Sequence, residues 1–88
     1  MIQPTREETI AYFRESIIDD DVYATVIAND FFNYQERHKT AEGDWTVSIR
    51  GKRRVMQVWK MAAHTWMRNL KKFNPSLYVS LQSKLIHE

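Results

Sequence analysis

Apolar residues recur at intervals of three and four along almost the whole chain, a period that admits little besides amphipathic helices packed on one another. Near the N-terminus the stripe is Ile10, Phe13 and Ile17 with Tyr12 beside it. Over 21–38 it is Tyr23, Val26, Ile27, Phe31 and Tyr34, flanked by Val22 and Phe32. Over 52–73 it includes Met56, Trp59, Ala63, Trp66, Leu70 and Phe73, and beyond Pro75 it is Leu77, Leu81 and Leu85, helped by Tyr78 and Ile86. The spacing predicts a mainly α fold: a small bundle of about four helices forming a single domain over residues 1–88.

Start and stop signals divide these stripes. Thr5-Arg6-Glu7-Glu8 has the form of a capping box, with Pro4 before it, and opens a helix running to about Ile18. Asp19-Asp20-Asp21 interrupts that helix, and its charge suits the N-terminus of the next, over about Asp21 to His38. Thr40 to Asp44, with Gly43, is the clear loop. Asn74-Pro75 ends the third helix and begins the last.

Residues 45–50 fit two periods. Trp45, Val47 and Ile49 alternate with Thr46, Ser48 and Arg50, as in a strand. Trp45 and Ile49 also extend the helical spacing of Met56 and Trp59, although Gly51 and Lys52 interrupt it. A short strand followed by one long helix, from Gly51 or Lys52 to Phe73, is the expected arrangement. A lone strand needs a partner, and a second copy of the chain is one source.

A chain of 88 residues buries only about 60% of the surface its unfolded form exposes, and with no cysteine it has no disulfide to reinforce it. A homodimer is therefore expected. Absence of cysteine fits a reducing compartment, the N-terminus lacks the pattern of a secretion signal, and no apolar run reaches about 18 residues. The expectation is a cytoplasmic protein with no membrane association.

The charge is unevenly placed. Residues 1–44 hold ten acids and four bases, and residues 45–88 hold nine bases and one acid, Glu88. Residues 50–73 contain no acid at all. On a helical wheel the cations of that stretch other than Lys52 fall on one face with His64, while Trp59 and Trp66 fall on the other with the aliphatic residues. The tryptophans are thus expected in a core or dimer interface rather than in a base-stacking platform. A stripe of one sign is self-repulsive at helical spacing, which points to an anionic partner.

Nucleic-acid phosphate is the first candidate partner, contacted through Arg50, Lys52, Arg53, Arg54, Lys60, Arg68, Lys71 and Lys72 without base-specific readout. An acidic protein surface is the alternative, which would make the chain a small inhibitor or regulator of another protein. Catalysis is not expected. Two glycines cannot build a phosphate-cradling loop, no cysteine nucleophile exists, and no serine or histidine stands in a recognised motif. Asp19, Asp20 and Asp21, with Glu15 one turn earlier, are the nearest approach to a metal site, but an acidic turn between helices explains them more simply. No metal or cofactor is predicted.

Overall fold

The structure, a computed structural model, describes the backbone of residues 3–87 and the side chains of residues 3–83. Its elements in order are α1 (Arg6–Ser16), α2 (Asp21–Arg37), β1 (Thr46–Ile49), β2 (Lys52–Val55), α3 (Trp59–Arg68), α4 (Leu70–Phe73) and α5 (Pro75–His87). The chain is mainly helical, with one small antiparallel sheet.

The caps form where the sequence signals them. The Thr5 hydroxyl accepts from Glu8 N–H while the Glu8 carboxylate accepts from Thr5 N–H, completing the capping box of α1. Helix α1 ends two residues short of the expected Ile18. Both Ile17 and Ile18 N–H bond back to the Phe13 carbonyl, and the turn carries Ile18 into the core. Asp20 then caps α2 by accepting from Tyr23 N–H at 2.9 Å. Asn74 caps α5 through Leu77 N–H at 3.2 Å, with Pro75 in its first turn.

Helix α2 is rotated relative to the expected stripe. Its buried side is Ala24, Ile27, Ala28, Phe31 and Gln35, while Val26 is 42% exposed and Tyr23 and Tyr34 lie half-buried at the margins. Size explains the shift: two alanines allow α1 to pack closely, and the larger side chains are displaced to the edges. Phe31 is the centre of the core. Its ring lies 5.5 Å from Phe13 of α1, 5.7 Å from Trp45 and 5.7 Å from Trp66 of α3. Trp45 is fully buried against Phe31 and Phe32, so four segments meet at one aromatic cluster.

The largest correction concerns the stretch after Trp45. Instead of a strand followed by one long helix from Gly51 or Lys52 to Phe73, the chain forms a hairpin, then α3, then the single turn α4. Strands β1 and β2 pair with Ile49 opposite Lys52 and Thr46 opposite Val55. Arg50 (φ 52°) and Gly51 (φ 80°) form the two-residue connection, both in the left-handed region that such a hairpin requires. Gly51 meets that demand without steric cost, and Thr46, Val47, Ile49 and Val55 supply the β-branched side chains that strands favour. The partner strand therefore comes from the same chain, not from a second copy.

Helix α3 is broken from α4 at Asn69, whose φ of −97° and ψ of 8° leave the helical region. Leu70 and Leu81 reach the core from α4 and α5, and Leu77 and Tyr78 pack against it. Expected core residues Leu85 and Ile86 lie outside the residues whose side chains are described.

Candidate functional site

The hairpin carries four of the eight predicted cations, Arg50, Lys52, Arg53 and Arg54. Its register sets Ser48 beside Arg53 and Thr46 beside Val55 on one face, with Val47 beside Arg54 and Ile49 beside Lys52 on the other. Arg53 turns inward: its guanidinium donates to the Thr46 hydroxyl and the Tyr34 hydroxyl, each at 3.3 Å. Thr46 in turn donates to the His38 carbonyl at 2.9 Å, and Tyr34 packs on Trp66 with ring centroids 5.1 Å apart. Arg53 thus links the hairpin to α2 and is held in place. Arg50, Lys52 and Arg54 are exposed around the turn and on β2.

The remaining predicted contacts do not continue this group along one helix. The Lys60 ammonium lies over Tyr12 of α1 at 5.2 Å and near Trp59 at 6.0 Å. Arg68 donates to the Thr65 hydroxyl at 3.1 Å, Lys71 lies 5.9 Å from the Tyr78 ring, and Lys72 is exposed on α4. The eight residues therefore fall into a hairpin group, a single lysine facing α1, and a group at the α3–α4 junction. The common stripe drawn on the wheel dissolves because residues 50–58 are not helical. Among the described residues no carboxylate lies within ion-pairing distance of any of the eight; two ion pairs of the first half join Asp21 with Arg14 and Glu36 with Lys39.

Between the hairpin, the C-terminal end of α2 and α3 lies a groove of about 790 Å³. Its lining includes Ile49, Val55, Val58, Met61 and Phe73, all exposed. Val58 is 50% exposed, Met61 69% and Phe73 55%, on a chain with little apolar surface to spare. Phe73 lies flat on Trp66, the centroids 5.2 Å apart and the rings 14° from parallel. Arg53 and Arg54 line the groove, and among the described residues no acidic one does.

Among the described residues, two buried polar atoms of residues that line this groove have no hydrogen-bond partner: Gln35 Oε1, an acceptor, and Trp66 Nε1, a donor. Both residues contribute to the lining, and Gln35 is only 5% exposed.

Sequence periodicity assigned Val58 and Phe73 to an apolar face without separating a core from an open groove, because both want the same residue types. Gln35 carried the readable signal. It follows Phe31 by four residues on the buried side of α2, a polar residue at a core position. Trp59 and Trp66, the two expected in a core or dimer interface, are partly buried against the margin of the core, and the fully buried tryptophan is Trp45.

No arrangement of catalytic groups accompanies the groove. His64 Nε2 and the Tyr12 hydroxyl are 2.8 Å apart, with no carboxylate completing a relay. Asp20 is engaged in capping, and Asp21 lies 3.9 Å from Arg14. Among the described residues no three acidic or histidine side chains converge on a point where a metal would sit, and no helix is long and apolar enough to cross a membrane. Comparison with known proteins finds no matching family model, no matching curated protein and no matching solved structure.

Proposed function

We propose that this chain is a non-enzymatic binding protein that inhibits or regulates an acidic protein partner docked in the groove between the hairpin and α3. One observation carries the proposal: exposed apolar side chains line a concavity whose charged lining residues are both arginine. Exposed apolar side chains gathered in a concavity suit a binding site, and aromatic residues, methionine and arginine are the types enriched in protein interfaces. Arg53 is already held by Tyr34 and Thr46, so little side-chain freedom is lost when it meets a carboxylate.

A second reading, nucleic-acid binding through phosphate contacts, is favoured by a different observation. Arg50, Lys52 and Arg54 crowd an exposed hairpin, and among the described residues no acid pairs with them. Contact with a backbone would give a log–log salt slope of about −0.9 per phosphate on duplex and −0.7 on single strands. The other residues expected to contribute are Arg53, Lys60, Arg68, Lys71 and Lys72.

The cytoplasm is the proposed site of action, on the strength of a chain free of cysteine. Self-association remains part of the proposal, but not through the groove. A two-fold contact there would set Arg53 and Arg54 of both copies against each other.

Purification from the host without nuclease treatment, run beside Met61→Asp, tests the main proposal. The expected result is a stoichiometric protein held by the parent and lost by the variant. RNA or DNA retained equally by both, and released steeply by salt, would replace it with the second reading.

A further inference from the structure

We infer that the groove takes its partner as an amphipathic helix of about three turns, with acidic residues along the flank that meets the hairpin. The inference rests on the proposed docking function and names the form of the partner. Its starting point is the wall that α3 supplies. Val58, Met61, Ala62, Thr65 and Asn69 all line the groove, at intervals of three and four, from the N-cap of α3 to its C-cap. One face of α3 therefore borders the groove over the helix's full length, about 16 Å at 1.5 Å per residue. The hairpin lines the groove with Ile49 and Val55, and Phe73 lies just beyond the C-terminal end of α3.

A trough that follows a helix suits a second helix. Two helices pack by setting the side-chain rows of one into the gaps between rows of the other, with axes about 8–10 Å apart. Ala62 and Thr65 are small and sit mid-wall, which permits that approach, while Val58 and Met61 offer exposed apolar area to a ridge at i, i+3 or i+4, and i+7. A helix also satisfies its own main chain, so it needs only apolar contact from the groove. An extended segment would bring carbonyls that want donors, and the Thr46 and Thr65 hydroxyls already spend their protons on the carbonyls of His38 and Met61. Charge fixes the flank. The groove's charged lining residues, Arg53 and Arg54, both belong to the hairpin, so the partner's carboxylates are matched on that side.

A displayed library of random hexadecapeptides, panned against the parent protein with Met61→Asp as the control surface, provides the probe. Enriched peptides are expected to be acidic, with apolar residues at intervals of three and four. The best of them should gain helical circular dichroism on binding. Arg54→Glu should weaken it about tenfold, and reversing one of its acids to lysine should recover most of that loss. A lactam joining outward side chains four residues apart separates the two forms. Such positions lie about 6 Å apart on a helix and about 13 Å apart in an extended chain. The bridged peptide is expected to bind at least as tightly as the open one, because less freedom is lost. This comparison uses the parent alone and decides the matter even if Arg54→Glu fails to fold.

Failures separate cleanly. Enriched peptides whose apolar residues alternate, or a bridged peptide that binds tenfold or more weakly, overturn the helical form while leaving the groove as a docking site. A loss at Arg54→Glu that no reversed acid recovers overturns the acidic flank. No enrichment over Met61→Asp overturns both the helix and the docking function. A labelled single-stranded oligonucleotide whose binding Met61→Asp abolishes would assign the groove to nucleic acid and overturn both.

Discussion

The two helices of the N-terminal half and the hairpin–α3 unit of the C-terminal half use similar residues to opposite ends. In α1 and α2 the apolar side chains close on one another: Phe13, Ile27 and Phe31 are fully buried, and two alanines let the helices approach. Along the hairpin and α3, Ile49, Val55, Val58 and Met61 stay exposed beside a groove, and among the described residues no carboxylate pairs with the arginines next to them. The first half behaves as a scaffold, and the second presents a surface. Apolar area left in water forgoes about 25 cal/mol per Å² of stabilisation, which makes the open groove a standing cost that a bound partner would remove.

Four measurements test that contrast. The largest effect is expected where the halves meet. Trp45→Ala should cost about 3–5 kcal/mol in urea unfolding, because the ring is fully buried against Phe31 and Phe32. Trp59→Ala and Trp66→Ala should cost visibly less, both being only partly buried; equal losses at all three positions would mean that the groove side is as closed as the scaffold. Next come the caps. Thr5→Ala and Asp20→Ala should each cost about 1 kcal/mol in thermal melts, and a negligible change at either would show that packing alone fixes α1 and α2.

Arg50→Asn has the opposite sign. It places a residue tolerant of the left-handed region before Gly51, and should raise stability by up to about 1 kcal/mol. A loss of stability would show that Arg50 contributes a contact that offsets its strain. The smallest effect is expected in the groove. Val58→Asp and Met61→Asp should leave stability within about 0.5 kcal/mol of the parent, as exposed positions do. A substantial loss at either would place it in the core and remove the distinction between the halves.

The starts of α1, α2 and α5 were legible because they rest on neighbours in sequence, whereas that of α3, at Trp59, was not. The Thr5–Glu8 box, the Asp20 cap and the Asn74-Pro75 boundary each involve residues three apart or adjacent. The hairpin was half-legible: alternation marked β1, but Lys52-Arg53-Arg54 gave no apolar alternation to mark β2. The decisive signal was Gly51 after Arg50, a turn whose first residue is not one of the types that favour positive φ. Missing it extended a helical wheel over nine residues that do not follow one. The individual cations of the site were readable, but their grouping was not, since that depends on the Tyr34–Arg53–Thr46 contacts between residues distant in sequence. The groove was hidden for a more general reason. Hydropathy says which residues avoid water, and only the packing of α3 against α2 decides which of them succeed.

A sheet of two strands also leaves a free edge on each strand, a row of peptide groups able to template further strands. In β2 that edge belongs to Lys52-Arg53-Arg54, where an incoming identical strand would bring like charges together. The same cations that attract an acidic segment therefore discourage the chain from polymerising on itself. Neutralising Lys52 and Arg54 in search of a tighter or less salt-sensitive binder would also remove the guard, and the first symptom would be precipitation on concentration rather than any loss of fold.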